Sequence, residues 1–366
     1  MKTIKVTFNT LTPLWTGDAW RECRELKLTG IIGSLRWWFE ALVRGMGYNA
    51  CDSTGNKKCK AEIKKIDDIL EINKNICPVC FLFGTTGWKS RFSVKIIDSS
   101  SIHSIEPIEI RTRTKNRRNS RYLSRYCKGL YGKFNLEFSF DSYLSDDFIA
   151  LFVKLLQFLS EWGMIGASIS QGNGVCEISF EDDIKNYVEN DFTDIVLTKT
   201  NKQKNCNHCP NFQNFRFLKA RILFNQKIDN ILLSNIWRKD SGDSKSLGSI
   251  HDTWRDYSFL PIGFHIRDLL RGIWRSDNTL RHKLMGEMRK ASNILVSHGY
   301  KISDSEIEFR IVGINIGNKE WENLKSNLTV NNAEEFMFST GQNYIKEIKF
   351  AEESTGNAIL NGGTSS

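Results

Sequence analysis

Residues 29–44 read Thr29-Gly-Ile-Ile-Gly-Ser-Leu-Arg-Trp-Trp-Phe-Glu-Ala-Leu-Val-Arg44. Leu35, Trp38, Phe39 and Leu42 recur at helical spacing, so one face of a helix is predicted to enter a core. Arg36, Glu40 and Arg44 form a second stripe at steps of four, with Trp37 beside it. Gly33 or Ser34 is the expected N-cap. A glycine-led loop rich in backbone N–H groups, opening a helix that displays Arg36, Trp37 and Arg44, suits phosphate and a stacked base. The plainer alternative is a buried amphipathic helix with a surface Arg–Glu–Arg ladder, Trp37 forming part of its apolar wall.

Working outward, Ile4, Val6 and Phe8 alternate with Lys5, Thr7 and Asn9, the pattern of a half-buried strand. A turn-rich loop from Leu11 to Asp18 links that strand to the helix and opens an α+β unit. Leu130 to Phe140 alternates as a strand. Phe148 to Trp162 is apolar nearly all round, which predicts a buried helix ending at Gly163, and Val175 to Phe180 closes the unit as a strand. A second unit starts near Asn214, its first strand marked by Phe215, Phe217, Leu218, Ala220 and Ile222. Pro261 to Arg275 reads as a helix with Arg267, Arg271 and Arg275 on one stripe, an echo of Arg36 and Arg44. In the strand Ser305 to Ile314, Ile307, Phe309 and Ile311 face inward against Glu306, Glu308 and Arg310. A chain of 366 residues suits two such domains: 1–185, then a linker or protruding loop over 186–212, then 213–352 and a flexible tail over 353–366.

The formal net charge is +9, with a pI near 9.0, so a polyanion is the first partner to consider. The cations are concentrated. Arg111, Arg113, Lys115, Arg117, Arg118, Arg121, Arg125 and Lys128 occur with no acidic residue between Glu109 and Glu137. Like charges this dense repel, so an extended or mobile loop is expected unless a polyanion neutralises it, and Tyr122 and Tyr126 offer stacking faces. A strand from Trp88 places Lys89, Arg91, Ser93 and Lys95 opposite Trp88, Ser90, Phe92 and Val94, as an RNA-facing edge or a solvated face. Glycines at 163, 166, 172 and 174 flank Gln171 and Asn173 in a loop that permits close backbone approach to phosphate. It lacks the Gly-Lys-Ser/Thr ending of a Walker A loop.

Residues 50–80 look inserted. They are lysine-rich and hold Cys51, Cys59 and the knuckle Cys77-Pro-Val-Cys80. Four such thiols suit a tetrahedral zinc ion, structural because four thiolates leave no open position for chemistry. Reduced, inert thiols are the alternative. Cys206-Asn-His208-Cys209 is a second short pair without an obvious partner pair. The N-terminus has no signal-peptide core and no run approaches a membrane span, so a cytoplasmic protein that takes no membrane partner is expected.

Several stretches together resemble a known family: Thr12-Pro-Leu-Trp-Thr-Gly-Asp18, Gly30 to Arg44 with its Gly-Ser-Leu-Arg-Trp-Trp run, Leu82-Phe-Gly-Thr-Thr-Gly-Trp88 and Pro261-Ile-Gly-Phe-His-Ile-Arg-Asp-Leu-Leu-Arg271. They are similar to the subunit-one family of type III-B CRISPR Cmr effector complexes, within the RAMP proteins. The glycine loop at 163–174 is similar to the loop for which RAMP proteins are known. The resemblance implies two tandem ferredoxin-like (RRM-like) modules, the cysteine-bearing insertion interrupting the first. It implies a non-catalytic, RNA-binding subunit of an antiviral ribonucleoprotein that holds the crRNA 3′ region and target RNA and contacts backbone RAMP subunits. The cysteine insertion and the basic segment depart from the family pattern. The residues expected to meet RNA are Arg36, Trp37, Arg44, Lys89, Arg91, Arg111, Arg113, Arg117, Arg118, Arg121, Gln171, Asn173, Arg267 and Arg271. The alternative is a stand-alone endoribonuclease using His251 or His298 as acid or base; no HExxH or GxSxG motif is present.

Overall fold

The computed structural model describes residues 2–362 other than 19, 21, 54, 56–57, 65–70, 116–119, 182–183, 185–186, 188–190, 198–208, 234–256, 288–290 and 339–342; the side chains of 73, 108–124 and 232–233 are also left aside. The first half runs β1 (Lys2–Thr10), α1 (Leu28–Gly45), α2 (Ile72–Asn75), α3 (Pro78–Phe83), β2 (Phe92–Asp98), β3 (His103–Ser104), β4 (Ile108–Lys115), β5 (Ser120–Cys127), β6 (Leu130–Tyr131), β7 (Lys133–Phe140), α4 (Asp146–Glu161) and β8 (Cys176–Phe180). The second runs β9 (Phe215–Phe224), α5 (Ile228–Leu233), β10 (Phe259–Leu260), α6 (Gly263–Ile273), α7 (Asn278–Met285), β11 (Ile294–Val296), β12 (Gly299–Lys301), β13 (Glu306–Ile314), α8 (Asn318–Asn327), α9 (Val330–Met337), β14 (Ile345–Thr355) and α10 (Gly356–Leu360). This is a mixed α+β chain.

The first sheet has the antiparallel order β2–β7–β1–β8, with α1 following β1 and α4 following β7. In the second sheet β12–β13–β9–β14 repeats that order, with β10 beyond β12 and β11 also on β13. Thus β9, β12, β13 and β14 hold the places of β1, β2, β7 and β8, and α6 holds the place of α1.

Packing makes four layers. Ile4, Val6 and Phe8 of β1 bury against α1 and α4, as the alternation predicts. The far side of these helices meets the second sheet: Trp38 lies 5.2 Å from Phe158 and 5.9 Å from Phe215 between ring centroids. The same core takes in Phe217, Val312 and Ile314, while Leu218, Ala220, Ile222, Ile307, Phe309 and Ile311 face a second core under α6, α8 and α9. A sheet buried on both faces explains why β9 carries apolar residues on both, with Phe215 and Phe217 on one core and Leu218, Ala220 and Ile222 on the other.

That sandwich corrects one expectation. Arg310 and Glu308, assigned by alternation to an outward face, are only 4% and 7% exposed. Arg310 donates from Nη1 to the Leu159 and Gly163 carbonyls (3.2 and 2.8 Å) and from Nη2 to the Ser160 carbonyl (2.7 Å). These are carbonyls at the C-terminal end of α4, which the helix itself leaves unpaired. A guanidinium in the second sheet therefore caps a helix of the first half.

Three boundaries move as well. Helix α1 starts at Leu28, not at 33–34, because Gly30 lies under the 11–18 loop, where a Cβ would fall 2.5 Å from the Thr16 carbonyl oxygen. The strand expected from Trp88 starts at Phe92. The basic segment forms an antiparallel ribbon, β4 with β5, rather than a loop. Beyond residue 353, β14 continues to Thr355 and α10 follows.

Candidate nucleic-acid surface and cysteine centre

Cys51, Cys59, Cys77 and Cys80 are all buried free thiols, and their sulfurs lie within 4.8 Å of one another. Cys51 Sγ is 3.4 Å from Cys80 Sγ and 3.9 Å from Cys77 Sγ. Sulfurs each about 2.3 Å from one tetrahedral ion stand roughly 3.8 Å apart, so the donor set fits. Backbone amides converge too: Cys80 N–H points to Cys77 Sγ and Cys77 N–H to Cys59 Sγ, each at 3.4 Å.

The Arg36–Glu40–Arg44 stripe brackets this centre instead of standing on the surface. Arg36 donates from Nε to Glu40 (3.2 Å), from Nη1 to the Gly84 carbonyl (2.9 Å) and from Nη2 to Cys80 Sγ (3.3 Å). Arg44 donates to the carbonyls of Ala50 (3.1 Å), Cys51 (2.8 Å) and Pro210 (3.0 Å), and also to Glu40. Burial pushes the Glu40 carboxyl up, with Arg44 and Arg36 opposing. Trp37 is half-buried, edge-on to Trp38 and 6.1 Å from Phe215. Arg44 in particular has its donors turned inward, so the phosphate-cradling reading of this helix finds no exposed cation there.

Three separated stretches do converge on a surface. Trp15 bridges Ala167 of the glycine loop, and the Ala167 N–H donates to the Trp15 carbonyl at 2.6 Å. Buried Asn173 donates from Nδ2 to the Lys128 carbonyl at 3.3 Å, while Gln171 is exposed. Lys128 Nζ stands 4.7 Å above the Trp15 ring. Trp20, in the same connection, is 83% exposed. The glycine loop also packs inward: Gly172 has φ +106°, and a Cβ there would fall 2.4 Å from His298 Nδ1.

Lys128 is where the β4–β5 ribbon returns. Arg125 Nη2 pairs with buried Asp268 Oδ1 of α6 at 3.1 Å, and Cys127 is buried against His298, so this side of the ribbon docks on the second half. Tyr126, on the other side, is 53% exposed. The register pairs Glu109 with Tyr126, Arg111 with Ser124 and Arg113 with Tyr122, placing these on the Tyr126 side; Arg121, opposite Thr114, is on the Arg125 side. Arg117 and Arg118 lie outside the described residues.

The remaining expected contacts divide. Lys89 is exposed in the turn before β2. Arg91 pairs with Asp141 at 3.0 Å and stacks 3.6 Å over the Trp88 ring. Arg267 donates to Ser292 Oγ (3.2 Å) and to the Ile294 carbonyl (3.1 Å), and burial, with Arg125 nearby, pushes its pKa down to about 10. Arg271 donates to the Gly286 carbonyl at 3.1 Å. Arg267 and Arg271 thus hold the α6–α7 corner together. Sequence reasoning passed over Trp15 and Lys128 because their adjacency to the glycine loop is tertiary.

His298 is fully buried: Nδ1 accepts from the Gly263 N–H at 3.1 Å, and burial pushes its pKa down to about 3. Such an imidazole stays neutral and has no path to an external phosphate. His251 lies outside the described residues. Among the described residues, no helix is long and apolar enough to cross a membrane.

Residues 7–177, which hold most of the first sheet, the cysteine centre and the glycine loop, match the family model of the RAMP superfamily. This stretch is similar to a RAMP-superfamily domain. Comparison with curated proteins found no match. Among solved structures the chain is similar to apo Cmr1 from Pyrococcus furiosus, at 12% identity over 99% of this chain and 97% of that one, with a TM-score of 0.40. It is also similar to a chain of the type III-B Cmr-β complex bound to cognate target RNA (12% identity, 89% of this chain, 100% of that one, TM-score 0.39). A chain of a type IV-B CRISPR complex matches at 14% identity over 53% of this chain and 97% of its own length, with a TM-score of 0.34.

Proposed function

We propose that the chain is a non-catalytic, RNA-binding subunit of a type III CRISPR ribonucleoprotein in the cytoplasm, equivalent to subunit one of the type III-B Cmr complex. In this reading it holds the crRNA 3′ region and target RNA beside backbone RAMP subunits. The carrying observation is the convergence of the 11–18 loop, the glycine loop and the base of the basic ribbon within the stretch similar to a RAMP domain. The two β–α–β–β–α–β sheets of like order support two tandem ferredoxin-like modules, the cysteine insertion lying between α1 and β2 of the first.

The RNA surface in this reading is the ribbon with Arg111 and Arg113, joined by Lys128, Trp15 and Gln171. The open face of the first sheet is a poorer platform. Its polar positions, among them Thr7, Asn9, Asn135, Glu137, Glu177 and Glu181, bond to one another or to Lys95, and the sheet's aromatics face the core. Zinc held by Cys51, Cys59, Cys77 and Cys80 is structural in this proposal and supplies cross-linking rather than chemistry.

The test is RNA binding by the full chain across a salt series, beside an Arg111/Arg113/Arg117/Arg118→Ala variant, with RNA integrity followed on a gel. Intact RNA, and a slope of log affinity on log salt shallower by about 0.7 for each lost phosphate contact, are expected. Discrete cleavage products would overturn the non-catalytic reading, and an unchanged slope would remove the ribbon from the RNA surface.

A further inference from the structure

Two guanidinium groups share one carboxylate beside the cysteine centre. The side chains of Arg36, Arg44 and Glu40 are 22%, 9% and 7% exposed. With Glu40 ionised, the two guanidiniums and the carboxylate they share sum to one positive charge, in a place where water screens little. Neutral thiols bring no countercharge. Four thiolates around a divalent cation bring two negative charges, and the Arg36 fork already presents Nη2 to Cys80 Sγ at 3.3 Å.

The bracket does not end at the cysteines. Arg44 holds the Cys51 carbonyl with Nη2 and the Pro210 carbonyl with Nη1, joining the insertion to the segment that enters β9. Gln213 Nε2 reinforces the junction by donating to the Gly45 carbonyl at 2.7 Å. Phe212 lies 4.9 Å from Phe158 of α4, ring to ring. One ladder on α1 therefore touches both the metal-ligand set and the start of the second sheet.

We propose that Arg36 is the outer-shell partner of a thiolate-bound metal, donating to Cys80 Sγ, and that the loaded centre acts through Glu40 and Arg44 to fix the 209–215 junction between the two sheets. This rests on the metal reading given above. Arg36 is a positioning residue: it orients a ligand and balances charge without touching the ion. An ammonium at position 36 would keep the charge but could not reach Glu40, Gly84 and Cys80 with one planar fork.

The experiment uses the full chain, with Co2+ absorption as the probe of thiolate binding and Zn2+ measured by chelator competition. Arg36→Met is expected to weaken both metals by about 10–100-fold, with Arg36→Lys in between as a variant that retains the charge. Arg221→Met, a cation lost from the second sheet, is expected to leave affinity unchanged. Hydrogen exchange at 211–214 is expected to accelerate when zinc is chelated from the wild type, and to be already fast in loaded Arg44→Met. If the wild type takes up neither ion, the metal reading and this inference fall together. If it binds and Arg36→Met binds as tightly, the metal reading stands and the outer-shell role is overturned. Exchange at 211–214 that ignores chelation overturns the link to the junction.

Discussion

Arg36 and Cys80 are joined by a contact of 3.3 Å from Nη2 to Sγ, across 44 residues of sequence. It turns a helix stripe into the wall of a cysteine centre. Stability is expected to depend on metal in consequence. With free zinc a thousandfold above Kd, binding to the folded state alone contributes about 4 kcal/mol. Thermal melts with zinc and with a strong chelator check this, and Cys77→Ser should melt like the chelated wild type. Superimposable curves would count against a bound ion.

Removing the guanidinium that caps α4 is expected to be costly. Arg310→Met takes the donor from two buried carbonyls, of Leu159 and Gly163, and from the half-buried carbonyl of Ser160, and should destabilise the chain by about 3 kcal/mol or more. Arg310→Lys should recover little, since one ammonium cannot reach the Leu159, Ser160 and Gly163 carbonyls as the fork does. Urea denaturation of the three proteins measures the difference. A loss below about 1 kcal/mol, the scale of a single ordinary hydrogen bond, would mean the cap is dispensable.

His298 should make the fold sensitive to acid. Burial, with His265 adding to it, holds its folded pKa near 3, against an ordinary value of 6.5. Between those values the unfolded chain takes up a proton that the folded chain does not. Stability is therefore full above about pH 6.5 and falls with pH by about 1.4 kcal/mol per unit. Denaturation midpoints from pH 7.5 to 5 should show the decline, and His298→Gln should flatten it. An identical slope in the variant would assign the acid sensitivity to other groups.

The two sides of the basic ribbon should respond differently to mutation. Arg111→Ala and Arg113→Ala, on the Tyr126 side, are expected to lower RNA affinity and reduce its salt slope without changing thermal stability. Arg125→Ala breaks the ion pair with Asp268, whose carboxylate is 2% exposed, and should instead lower the melting temperature. Paired binding and melting measurements separate the effects. A uniform response from all three variants would show that the register does not sort them.

Much of the fold was legible because it follows from periodicity. The alternation of Ile4, Val6 and Phe8, the helical spacing of Leu35, Trp38, Phe39 and Leu42, and the apolar run in Asp146–Glu161 are each buried as their patterns require. The four cysteines were legible because four metal-ligating thiols within thirty residues, two of them in a Cys-x-x-Cys knuckle, are a pattern read directly from spacing. The surroundings of the cationic stripes were not legible, for one reason. Spacing puts Arg36 with Arg44, and Arg267 with Arg271, on one helix face, but does not say whether that face meets water or a carbonyl-rich corner of the same chain.

By itself the sequence determined the α+β class and the short spacing of the four cysteines, since hydrophobic period and ligand spacing are local properties. Only the tertiary structure decided which arginines face inward. It stacked the second sheet on the helices of the first half, buried Arg310 at the end of α4, and brought Trp15, Ala167, Asn173 and Lys128 together. A guanidinium keeps its charge wherever it lies. Its partners are set by long-range packing, which places unpaired carbonyls, a carboxylate or a thiol within about 3 Å of it.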